Sequence, residues 1–153
     1  MVKSGFIVVL ALAIFATQII PQSLPKTLRS YLDRNYRGWK LAGQCYDKEK
    51  DNKKILVGNF NGDGKRDYAV KFVRGEKGFL MAFLADGRMW KPYYLHIYSA
   101  REAKYSDLML FRNGESFEPA ETPKLKFDSP ADFHCDSDVG GVHTFYKGRF
   151  IAY

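Results

Sequence analysis

Cysteine is scarce in this chain, with only Cys45 and Cys135. An oxidising compartment would pair them, and a bridge closing so long a loop is worth about 4–5 kcal/mol in the chain-entropy model. The alternative is two buried free thiols. Charge of one sign is nowhere run together, although the formal net charge is +7. Scattered Lys and Arg argue solubility and encounter with anionic partners, and no dedicated nucleic-acid surface. Low-complexity tracts and internal repeats are absent. So is an apolar run long enough to span a bilayer: Phe6 to Ile20 is broken by Thr17 and Gln18 and falls short of the ~20 residues a span needs. No cysteine stands directly after that run, so a lipoprotein anchor is not indicated.

The same N-terminal stretch has the three parts of an export signal, with cationic Lys3, an apolar centre and polar Pro21-Gln22-Ser23. The expectation is a leader over residues 1–23 and one domain over residues 24–153, periplasmic or extracellular, with no membrane span after cleavage. A retained anchor is the alternative. At 46% hydrophobic and 16% aromatic residues, the chain is far from the composition of disordered proteins.

Helical spacing runs from Ser23 to Arg37, where Leu24, Leu28, Tyr31 and Leu32 share one face, Pro25 suits a first turn and Gly38 stops it. Beyond Gly38 the period becomes two, with turn signals about every ten residues. Strands are expected near Lys40–Tyr46, Lys54–Phe60, Asp67–Arg74, Phe79–Leu84, Met89–Tyr98, Asp107–Arg112, Val142–Tyr146 and Arg149–Tyr153. Phe79–Leu84 is apolar without alternation, which predicts a central strand covered on both faces. Gly114 to Asp132 reads as an irregular excursion. The fold class expected is α+β: an antiparallel meander with one N-terminal helix packed on it and one disulfide.

One motif carries chemistry. Asn59-Phe60-Asn61-Gly62-Asp63-Gly64-Lys65-Arg66-Asp67 puts side-chain oxygens at its first, third, fifth and ninth positions and glycine at its sixth. A tight loop around a hard cation uses that spacing, because alternate side chains turn inward and the seventh residue offers its carbonyl. Asn59, Asn61, Asp63, the Lys65 carbonyl and Asp67 are the candidate calcium ligands. Val70 stands where an EF-hand has its bidentate glutamate, and the flanks read as strands, so this is no EF-hand. The competing reading is a plain hairpin whose Asn-Gly and Asp-Gly pairs supply positive-φ turn residues.

The stretch Val57 to Val70 resembles the calcium-binding hairpin of FG-GAP and VCBS repeats. That resemblance implies a structural calcium ion between two antiparallel strands of an extracellular module, ligated through Asn59, Asn61, Asp63, the Lys65 carbonyl and Asp67. Asn59 replaces the family's usual Asp, and Lys65 and Arg66 add opposing charge, so the implied dissociation constant is about 10⁻⁴ to 10⁻³ M. The family builds propellers from repeated copies; one copy excludes a propeller here. The helix, Gly38-Trp39-Lys40 and a single hairpin are also similar to small secreted bacterial proteins, a likeness that implies no activity.

Other constellations are less specific. Strict alternation would put Trp90, Tyr94, His96 and Tyr98 on one strand face, able to stack on sugars or bases if exposed and simply core if not. Pro92 suggests an edge or a bulge there. His134-Cys135-Asp136-Ser137-Asp138 with His96 and His143 could form a zinc site, which a disulfide at Cys135 would deplete. The carboxylates Asp107, Glu115, Glu118, Glu121, Asp128 and Asp132 show no pairing by spacing. The function expected is that of a monomeric binding or accessory module for an anionic polymer or envelope protein. The alternatives are a hydrolase of envelope polymers and an inhibitor of a secreted enzyme.

Overall fold

The computed structural model describes residues 23–43, 54–116, 124–137 and 139–153. The expected leader, Ser23 apart, and Cys45 lie outside these residues. Helix α1 (Lys26–Asn35) forms where the three- and four-residue apolar spacing predicts it, with Leu28 and Leu32 fully buried and Leu24 and Tyr36 extending the stripe. The Pro25 carbonyl accepts the Arg29 N–H at 2.9 Å, and Gly38, at φ +82°, turns the chain out of the helix.

Strands β1 (Lys40–Leu41), β2 (Ile55–Gly58), β3 (Asp67–Arg74), β4 (Lys77–Asp86) and β5 (Met89–Ser99) form a first antiparallel sheet. β1 and β2 lie end to end along one edge of β3, followed by β4 and then β5 at the far edge. A 3-10 turn, Glu102–Lys104, leads to a second antiparallel sheet of β6 (Ser106–Phe111), β7 (Ser129–His134), β8 (Gly140–Tyr146) and β9 (Arg149–Ala152) in chain order.

β4 reads apolar throughout because it is covered twice. On one face the helix stripe packs against Tyr68, Val70, Phe72, Phe79, Met81 and Phe83. On the other, Ala69, Leu80, Ala82, Leu84 and Tyr98 meet Leu108, Leu110, Phe145 and Phe150 of the second sheet. The layers therefore run helix, sheet, sheet, and the expected single meander is divided in two. A smaller cluster of Leu125, Ala131 and Val142 covers the outer face of the second sheet.

Strand β7 falls where an irregular segment was expected. Pro130 and Asp132 mask it in sequence, since proline gives no ladder N–H and aspartate disfavours strands. β8 pairs with β7 only at Ala131 to Phe133, so Pro130 lies beyond that ladder and needs no donor on that side.

Candidate functional site

The loop after β2 is built around Asp67. Its carboxylate is fully buried at the start of β3 and accepts N–H groups from both sides, Phe60 at 2.8 Å through Oδ2 and Ala85 at 2.9 Å through Oδ1. Burial holds its pKa above the ordinary carboxylate value, against those hydrogen bonds, and the Asp63 charge adds to the rise. Asn61 Oδ1 accepts the Asp63 N–H at 3.0 Å and Asp63 Oδ1 accepts the Lys65 N–H at 2.9 Å. Lys65 Nζ reaches Asp63 Oδ2 at 3.3 Å, and the Lys65 N–H bond leads the causes that hold the Asp63 pKa low. Gly62 and Gly64 both have φ near +80°, and Phe127 packs so closely on Gly62 that no Cβ fits. Asn59 Oδ1 is buried without a hydrogen-bond partner.

Asp128, whose spacing in the sequence showed no pairing, anchors this loop to the second sheet. Its Oδ2 accepts the Asn59 N–H and Arg112 Nη1, each at 3.1 Å, and its Oδ1 accepts the Asn113 N–H at 3.1 Å.

The aromatic face expected on β5 is divided by a bulge. Tyr94 pairs with Met81 but His96 pairs with Leu80, so Leu95 is an extra residue and the alternation inverts across it. Trp90 and Tyr94 turn to the helix side, where Trp90 Nε1 donates to Thr27 Oγ1 at 3.1 Å and the Tyr94 and Tyr36 hydroxyls lie 2.6 Å apart. His96 and Tyr98 turn to the second sheet, stacked with centroids 4.1 Å apart. β5 is indeed an edge strand, as Pro92 suggested.

His96 and Tyr98 meet Asp132 in a cavity of about 520 Å³ between the sheets. Asp132 is 3% exposed and satisfied by three donors: Tyr98 OH at 2.5 Å and His96 Nδ1 at 2.9 Å on Oδ2, and His143 Nε2 at 2.7 Å on Oδ1. Burial opposes its charge, but the bonds from His143, Tyr98 and His96 prevail and hold its pKa below the ordinary value. Burial, then the Asp132 charge, push the Tyr98 hydroxyl far up. All three histidines of the chain line this cavity, with Glu102 and Ser106. The sequence could not place Asp132 among them, because β5 meets β7 and β8 only through the packing of the two sheets.

Behind the cavity, Lys71 has no exposed surface. Its Nζ donates to the Ser106 carbonyl and, at 3.2 Å, to Ser106 Oγ. Among the described residues, no three His, Cys, Asp or Glu side chains are placed to hold a metal ion, so His96, His134 and His143 share a cavity without forming a zinc cage. Asp138 lies outside the described residues. Comparison with protein-family models, with curated proteins and with solved structures finds no match.

Proposed function

We propose that this protein is an exported, monomeric binding or accessory module whose loop 59–67 holds a structural calcium ion, as the resemblance to FG-GAP and VCBS hairpins implies. The observation that carries the reading is the buried, unpartnered Asn59 Oδ1 at the first position of the loop. A buried carbonyl oxygen without a partner costs about 1–3 kcal/mol, and a hard cation would remove that cost. The mutual repulsion of Asp63 and Asp67 supports the same reading, since a divalent ion between them would turn it into attraction. The residues fit such an ion: the Asn59, Asn61, Asp63 and Asp67 side chains and the Lys65 carbonyl supply oxygen donors, and each carboxylate oxygen already taking an N–H keeps a second lone pair. A disulfide between Cys45 and Cys135, and a periplasmic or extracellular location, belong to the same proposal. So does a partner of anionic character, a polymer or an envelope protein, to which the net positive charge left after loss of the leader would steer it.

Differential scanning calorimetry tests the ion. At a few millimolar calcium and a dissociation constant of about 10⁻⁴ to 10⁻³ M, linkage gives about 1–2 kcal/mol, or a melting-temperature rise of roughly 3–8 °C. Asp63→Ala should abolish the rise without unfolding the protein, because Asp63 is partly exposed, whereas Asp67 ties down two backbone N–H groups. Identical thermal unfolding with and without calcium would remove the proposal.

A further inference from the structure

We propose that the cavity between the two sheets is a hydrolytic site for small carboxylic esters, with His96 as general base and Asp132 as its positioning residue. The cavity shares no residue with loop 59–67, so loss of calcium and loss of His96 have separable effects.

His96 differs from the other donors to Asp132. Buried Tyr98 of β5 suffices to join the sheets through that carboxylate, and buried His143, from β8 of the second sheet, satisfies its other oxygen. The His96 side chain is 50% exposed, and its described hydrogen bond uses only Nδ1. An ionised carboxylate only accepts, so Nδ1 carries the proton and Nε2 keeps a lone pair. A carboxylate that fixes the tautomer of an imidazole whose second nitrogen is free is the arrangement of a general base. A polar tie between sheets does not require a cavity of about 520 Å³ above it, a size within the range of small-molecule sites. Leu95, Ile97, Val139 and Ala152 line it with apolar surface suited to an acyl chain. His134 also lines it; its Nδ1 accepts the Asp136 N–H at 3.4 Å, which leaves an Nε2–H able to donate to a carbonyl oxygen.

In the step proposed, His96 Nε2 takes a proton from water as the water oxygen bonds to the ester carbonyl carbon. The resulting tetrahedral oxyanion collapses, the bond from carbon to the alkoxy oxygen breaks, and the leaving oxygen takes the proton back from Nε2. Ester and water give acid and alcohol, with no cofactor and no net change at the protein. The titratable groups around His96 are Asp132 and Tyr98 in contact with it, and His143, His134 and Glu102 lining the same cavity.

The probe is p-nitrophenyl butyrate with the full-length protein, and the control is free imidazole at equal concentration. Wild type should exceed the control, and His96→Ala should lose about 10²-fold or more, the ordinary contribution of a general base. Added imidazole should restore part of the rate to His96→Ala by entering the vacated space. Asp132→Asn should lower kcat and leave KM nearly unchanged, because it disturbs the orientation and tautomer of the base and not the acyl site; a purely structural carboxylate would change both together or neither. His96→Gln serves if His96→Ala does not fold. A wild-type protein no faster than imidazole, or a folded His96 variant as fast as wild type, overturns the proposal.

Discussion

Lys71 stands in β3 between Val70 and Phe72 with no exposed surface, and its ammonium group is held by the carbonyl and hydroxyl of Ser106. Burial lowers its pKa to about 8, while Asp107 and Asp132 oppose the fall. Between that value and the ordinary lysine value of about 10.4, the unfolded chain binds a proton that the folded chain has released, so stability should rise with pH. The limiting slope is about 1.4 kcal/mol per pH unit, so roughly 1–2 kcal/mol should be gained from pH 8 to 9.5. Above about pH 10 the raised tyrosines Tyr31, Tyr36 and Tyr98 reverse the trend, since the unfolded chain loses their protons first. Urea unfolding across this range should show the rise in wild type and its absence in Lys71→Met; an equal rise in both would refute the assignment. None of this is legible in Asp67-Tyr68-Ala69-Val70-Lys71-Phe72, where alternation marks Lys71 as facing away from Val70 but not that a second sheet lies there. Asp132 was hidden for the same reason: a carboxylate is solvated or buried according to what packs over it.

At the level of elements, the helix was the most legible part, because Leu24, Leu28 and Leu32 announce a stripe by spacing alone. Its packing supplies one face of the core, and Leu28 is fully buried in it. Leu28→Ala should cost about 2–5 kcal/mol, measurable by denaturant titration; a loss under about 0.5 kcal/mol would mean that the helix is not docked as described. Strand β3 was legible to its termini, whereas β5 was legible in extent and not in facing. Periodicity counts residues along one chain, while the bulge at Leu95 is a property of the pairing with β4, so one unpaired residue carried His96 and Tyr98 away from Trp90 and Tyr94. β7 escaped notice because Pro130 and Asp132 are poor strand residues by propensity. Its pairing to β6 along six residues outweighs that local preference.

On the scale of the whole molecule, the proposed Cys45–Cys135 bridge would join the segment after β1 to the end of β7, where the Cys135 N–H donates to the Tyr105 carbonyl at 2.9 Å. Cys135→Ser should then lower stability by about 2–5 kcal/mol, and reductant should destabilise wild type by the same amount while leaving the variant unchanged. A wild-type unfolding midpoint indifferent to reductant would exclude the bridge. Among the described residues no helix is long and apolar enough to cross a membrane. By itself the sequence determined an antiparallel α+β fold, an N-terminal helix with its buried stripe, and a tight loop at residues 59–67 whose glycines and alternating oxygens fix its local shape. These follow from period and turn chemistry, which act over a few residues. Only the tertiary structure decided that the strands divide into two packed sheets, that Asp128 clamps the loop, and that Asp132 gathers His96, Tyr98 and His143. Those contacts join positions from eleven to sixty-nine residues apart through the burial of apolar faces, and burial depends on the partner surface as much as on the segment that carries it.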